Sequence, residues 1–155
     1  MLFRSAIYDG DNFPAAYQGL LLFGNLHGHR VLADQVEPRG SGYVGHHAGD
    51  FVRSNDSWFI PVSQRVGPDG ALYVSDWTDK QTCHNNNQEL WDRDNGRIYR
   101  IAYGQPKSRA QDLTKLDPVA LAKLALDDPN GLLVRQARKV LAERGEPESA
   151  ARALL

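Results

Sequence analysis

The residues able to do chemistry are few. Five histidines and one cysteine supply the imidazole and thiol groups: His27, His29, His46, His47, Cys83 and His84. None has the paired spacing of a zinc ribbon or of His-Glu-x-x-His. His46 and His47 are adjacent in a strand-like stretch, so they point to opposite faces. One of the two is expected to pack inward with its ring nitrogens satisfied. Asp79, Asp92 and Asp94, with carbonyls, form a candidate calcium set. However, the run Asp92-Arg-Asp-Asn-Gly96 lacks the twelve-residue calcium-loop pattern and reads as a turn before a strand. An aspartate beside a histidine fixes the imidazole tautomer and keeps it basic, as a base for hydroxyl oxidation requires. The preferred site therefore uses Asp76, His84 and His27 as catalytic groups, with Asn25, Trp77, Asp79 and Cys83 as substrate contacts. In the plainer alternative, Asp76 caps a turn and His27 is a loop residue. Cys83 has little support as a nucleophile, because no Cys-His-Asn arrangement is evident. Trp58, Trp77 and Trp91 are able to stack on a sugar or a quinone. The plainer reading of Trp58-Phe59 is a core anchor.

The elements that must position these residues are short strands. Gly70–Asp76 and Gly96–Tyr103 are strand signals, the first preceded by the turn residues Pro68-Asp69-Gly70. Between them, Thr78–Asn95 is 18 residues of mostly polar chain. A loop of that length between adjacent strands has a function or is disordered. Upstream, Asn12–Tyr17 reads as a loop that positions an aromatic. Gly19–Asn25, Gly28–Val36 and Tyr43–Val52 read as strands, with Pro38–Gly42 as a turn, and Pro61–Val66 begins a second unit. Gly19, Leu21, Leu22, Phe23 and Asn25 align with Gly70, Leu72, Tyr73, Val74 and Asp76 at a constant offset of 51. Arg30, Val31 and Leu32 align with Arg97, Ile98 and Tyr99 at an offset of 67. The jump of 16 is the insertion after Trp77. Short-strand repeats of this period point to propeller blades or a related β array. In a four-stranded blade, the loop between the second and third strands and the link between blades emerge on one face. That places Leu26-His27, Thr78–Asn95 and Arg53–Trp58 on one rim.

After Tyr103 the pattern becomes helical. Asp117-Pro118 is a capped helix start, and Val119, Leu121, Leu124 and Ala125 follow at helical spacing. Asp127–Gly131 reads as a turn. Leu133, Val134, Ala137, Val140 and Leu141 form the stripe of a second helix that stops at Gly145. Pro147–Leu155 is expected to start a third. The totals exclude some classes. A net charge of −1 with scattered basic residues calls for neither nucleic acid nor an anionic membrane. One cysteine rules out an internal disulfide framework. No apolar run is long enough to span a bilayer. The segment Met1–Ile7 is too short for a signal peptide, so the chain is either cytoplasmic or an internal piece of a longer secreted protein.

Several motifs in order carry a family resemblance. They are Asn12-Phe-Pro, Tyr17-Gln-Gly19, Asn25-Leu-His-Gly-His-Arg30, Gly40-Ser-Gly-Tyr-Val-Gly-His-His47, Asp50-Phe51, Trp58-Phe59, Gly67-Pro-Asp-Gly70, Tyr73-Val-Ser-Asp-Trp77, Cys83-His84 and Gly96-Arg-Ile-Tyr99. The run, about residues 12 to 145, resembles PVC-type haem-binding CxxCH proteins, also described as putative membrane-bound dehydrogenases. Their propeller is similar to glucose/sorbosone dehydrogenases. The resemblance implies a propeller, then HEAT-like helices, then a c-type cytochrome domain, in a periplasmic or extracellular protein. No Cys-x-x-Cys-His occurs in this chain, so a haem would sit only on a domain outside it.

The expectation is a mainly β chain with an α-helical C-terminus. It comprises a partial β-propeller of about two blades over residues 1–104 and a HEAT-like helical hairpin over 105–155. Two function classes follow. One is a portion of a secreted dehydrogenase-like oxidoreductase acting on sugars or alcohols, with a quinone such as PQQ, or calcium, as the cofactor options and a cytochrome as electron acceptor. The other is a non-catalytic binding or protein-interaction module.

Overall fold

The computed structural model describes residues 2–81, 87, 90–92, 94–107, 109 and 111–145. The chain is mainly β, with two antiparallel sheets followed by two helices. The first sheet has the order β1 (Leu2–Ile7), β2 (Leu21–Asn25), β3 (Arg30–Arg39), β4 (Gly42–Arg53). The second has the order β5 (Pro61–Val66), β6 (Leu72–Asp76), β7 (Arg97–Ile101). Neither sheet closes into a barrel.

Chain contacts divide the protein into two compact units. The first contains both sheets. The second contains 9–14, 67–71 and the chain from Ala102 onward.

Within the first unit the two sheets repeat one three-stranded pattern in register. Leu2 faces Asn25 and Ile7 faces Leu21; Pro61 faces Asp76 and Val66 faces Leu72. Asn25 faces Arg30, and Asp76 faces Arg97. Every one of these pairs maps onto its counterpart with offsets of 59, 51 and 67 for the three strands. Both first strands also carry a register shift near their starts, at Leu2/Ser5 and at Pro61/Ser63. Such bulges bend a strand and raise its twist. The modules differ in their second connection, residues 26–29 in one and 77–96 in the other.

The sheets meet through β5, which packs against β1 and β2. Gly24 is required at this contact: a Cβ there would run into the Pro61 carbonyl oxygen and come within 3.0 Å of Gln64 Nε2. Leu22, Val31, Leu72 and Val74 are fully buried, as alternating strands with one covered face demand.

In the second unit, α1 (Pro118–Asp127) starts where Asp117 caps Ala120 N at 2.9 Å with Pro118 at the first position. The second helix, α2 (Gly131–Arg144), ends at Gly145 in the left-handed conformation, φ 70°. Leu113, Leu121, Ala122, Ala125, Leu133, Ala137, Val140 and Leu141 form their shared core. Asn130 is fully buried and holds this unit together. Its Oδ1 accepts from Leu132 N at 3.0 Å. Its Nδ2 donates to Gly67 O at 3.0 Å and to Asp11 Oδ1 at 3.2 Å. Arg109 bridges Asp128 and Asp11, and the hydrogen bond to Asp128 is the main cause of an upward shift in its pKa.

Several expectations need correction. Leu2–Ile7, where the sequence shows no strand signal, forms β1. Pro38 is not in a turn: β3 runs to Arg39, and the turn narrows to Gly40-Ser41, with Gly40 at φ 62°. Neither His46 nor His47 packs inward. Both side chains are more than half exposed and lie near carboxylates, His47 Nδ1 at 3.2 Å from Asp34 and His46 Nε2 at 3.6 Å from Glu37. This strand is part of a long hairpin, β3–β4, whose outer stretch is solvated on both sides. Gly131 starts α2 instead of closing a turn. Pro147–Leu155 lies outside the described residues.

Candidate functional site at the hairpin ends

Equivalent strand ends bring most of the sequence-predicted residues to one rim. Asn25 ends β2 and Asp76 ends β6. Asn25 Oδ1 accepts from Gly28 N at 2.9 Å and so closes the turn that carries His27. His29, at φ 51°, lies with Nδ1 2.9 Å from the carbonyl oxygen of Phe59. That contact joins the first module's turn to the segment 58–60. The next residue, Ile60, donates its N–H to Asp76 Oδ1 at 2.7 Å. Trp77 N then donates to Ile60 O, and Asp79 N to Trp58 O, both at 3.0 Å. Asn25, the His27 turn, Asp76, Trp77 and Asp79 thus belong to one hydrogen-bonded rim. Cys83 and His84 lie outside the described residues.

The carboxylate of Asp76 has no exposed surface. Besides Ile60 N it accepts from Thr78 N at 2.8 Å and from the Thr78 hydroxyl. Arg97 Nη1 stands 3.9 Å away and donates to Thr78 Oγ1 at 2.9 Å. Three hydrogen bonds from its own fold thus engage the carboxylate, two at Oδ1 and one at Oδ2. Thr78 is a β-branched residue at φ 47°, a conformation that costs on the order of 1–3 kcal/mol unless its surroundings impose it. Asp76 imposes it. Asp79 is buried as well, and its Oδ1 accepts from Gln81 N at 2.8 Å. Asp92 accepts from Asp94 N at 3.0 Å and from the Asn95 amide at 2.7 Å. The Asn95 contact, then the Asp94 N–H, holds its pKa below the usual carboxylate range. Asp79 and Asp92, two of the candidate calcium ligands, each accept hydrogen bonds within their own turns. Among the described residues, no three His, Cys, Asp or Glu side chains come together to hold a metal ion.

The rim offers two aromatic side chains to solvent. Trp58 is 39% exposed and Trp77 44%. Of the pair Trp58-Phe59 expected as a core anchor, Phe59 is buried, edge-to-face with Tyr99 at 5.7 Å, whereas Trp58 is exposed. His27 is exposed. Sequence reasoning missed Thr78 and Arg97, and considered His29 only as an imidazole for a metal. The signal for Thr78 was available, since an Asp two residues before a Thr just past a strand is a side-chain-capped turn. A further cleft of about 600 Å³, lined by Arg109, Gln111, Leu113, Leu133 and Val140, lies within the helical unit and contains none of the predicted residues.

The family model described as a domain of unknown function, DUF7133, matches residues 4–105. The chain belongs to this family. The DUF7133 match runs from β1 to just past β7, so the family's domain is the pair of in-register sheets and the rim they share. No curated protein and no solved structure matches the chain. Among the described residues, no helix is long and apolar enough to cross a membrane.

Proposed function

We propose that this DUF7133 chain is a β-propeller-type binding module. Its rim takes a sugar- or alcohol-type ligand against Trp58 and Trp77, and does so without catalysis by Asp76. Two in-register modules with matching bulges support the propeller-type reading, and the packed helix pair α1–α2 is read as a HEAT-like repeat. The observation that carries the proposal is the pairing of a fully buried Asp76, hydrogen-bonded at both oxygens within its own fold, with two exposed indoles on facing segments. A carboxylate so engaged is a keystone, whereas exposed tryptophans bury a sugar face at little entropic cost.

One observation favours a second reading. The β6–β7 connection is 16 residues longer than its counterpart and carries Cys83 and His84. On this reading the chain is part of an exported dehydrogenase-like oxidoreductase, with a quinone cofactor, a sugar or alcohol substrate and a c-type cytochrome as acceptor. One experiment separates the two. Purified chain is titrated with a panel of mono- and disaccharides by calorimetry, and the same mixtures are assayed with an artificial electron acceptor and added quinone. Binding that is lost in Trp58→Ala and Trp77→Ala, with no acceptor reduction, supports the module. Acceptor reduction that is abolished by His84→Ala refutes it in favour of the oxidoreductase.

A further inference from the structure

The two modules match strand for strand except at one edge. In the first, the outer edge of β3 is covered by β4 along its whole length, from Arg30 opposite Arg53 to Arg39 opposite Gly42. In the second, β7 is the equivalent of the first half of β3, and among the described residues no strand pairs with its outer edge. An uncovered edge presents a row of backbone donors and acceptors that templates another strand. The side chains agree with this. Val31 is fully buried, whereas its equivalent Ile98 is 75% exposed.

The covered module also shows what chemistry the edge selects. Opposite Leu32 on β4 stands Asp50, whose Oδ2 is 2.9 Å from Arg30 Nη1 and 3.4 Å from Arg53 Nε. The equivalent of Arg30 is Arg97, half exposed at this edge; it donates to Thr78 Oγ1 at 2.9 Å, stands 3.9 Å from Asp76 and lies within electrostatic reach of Asp92. The equivalent of Leu32 is Tyr99. Arg100 adds a second positive charge to the five-residue strand Arg97–Ile101, which disfavours pairing of β7 with a second copy of itself.

We propose that β7 is a docking edge for an antiparallel strand of another polypeptide. That strand places a carboxylate opposite Tyr99, within reach of Arg97, and an apolar side chain opposite Ile98. This is recognition by strand addition: main-chain hydrogen bonds supply affinity, and Arg97 and Ile98 supply specificity. It is independent of the ligand reading of the rim.

The probe is a synthetic peptide of residues 42–53, a copy of the strand that covers the equivalent edge. It is titrated into isotopically labelled, intact protein and followed by amide chemical shifts. Saturable shifts confined to Arg97–Ile101 and their β6 partners are expected. The same peptide carrying Asp50→Asn is expected to bind about tenfold more weakly, the loss of one charge-assisted contact. That comparison leaves the protein unaltered; Arg97→Gln in the protein is the reciprocal variant. The proposal is overturned by any of three results. These are no shifts up to about 1 mM peptide, shifts at β3 instead (exchange with the resident β4), or concentration-dependent shifts at β7 without peptide, which would assign the edge to a second copy.

Discussion

Replacing Asp76 separates a keystone from a catalytic base. Asp76→Ala removes the acceptor for two backbone N–H groups, those of Ile60 and Thr78, at 2.7 and 2.8 Å. Leaving a buried donor unsatisfied costs about 1–3 kcal/mol each. The half-exposed Arg97, 3.9 Å away, adds no more than about 1 kcal/mol. Thr78 also loses the groups that hold it at φ 47°, so part of the loss is returned as strain is released. The expected destabilisation is about 2–5 kcal/mol. Asp76→Asn keeps one oxygen for the two N–H groups and loses mainly the Thr78 hydroxyl bond, about 1 kcal/mol. Urea unfolding of the three proteins, with m-values compared to confirm equal cooperativity, measures the series. The reasoning is refuted if Asp76→Ala lies within about 1 kcal/mol of the parent, or if Asn is as damaging as Ala.

Three further outcomes follow from the packing and the titrations. Gly24→Ala is expected to cost about 1–3 kcal/mol in urea unfolding, because its Cβ meets the rigid Pro61 carbonyl. Asn130→Ala should lower the thermal midpoint and cost about 2–4 kcal/mol, since it uncovers both the Leu132 N–H and the Gly67 carbonyl in a fully buried site. The Asp112 carboxyl, bonded first by the Thr114 hydroxyl and then by the Thr114 N–H, is held below the usual carboxylate range. Its small contribution to stability is therefore present above the unfolded carboxylate value and is lost as pH falls through the lower folded value. Carboxyl-detected NMR titration of the parent and of Thr114→Ala checks this, with the Asp112 midpoint rising in the variant.

The parts of this fold legible in sequence are those written in local chemistry. The offset of 51 between Leu21–Asn25 and Leu72–Asp76 is visible because each strand has its own apolar run, and the structure places the same residues in register. Asp117, Pro118 and Gly145 announce helix ends through side-chain and backbone geometry that needs no partner. What stayed hidden depends on distant chain. Leu2–Ile7 has no strand signature of its own and is recognisable only beside β2. Trp58 and Phe59 are both large aromatics, and which one faces inward is set by the ladder to Trp77 and Asp79. The engagement of Asp76 depends on Ile60, 16 residues earlier, and on Thr78, which Arg97 beyond the insertion holds in turn. Asn130 reads locally as a turn residue, yet its amide reaches Asp11, 119 positions away.

The account depends on two modules sharing one register, so that Asn25 and Asp76 end at one rim. Cross-strand nuclear Overhauser effects test this directly. Contacts of Phe23 with Leu32 and Ser5 are expected to reappear between Val74 and its partners Tyr99 and Gln64. A one-residue slip in the second set, pairing Val74 with Ile98 or Arg100, would move Arg97 away from its place opposite Asp76 and contradict the account.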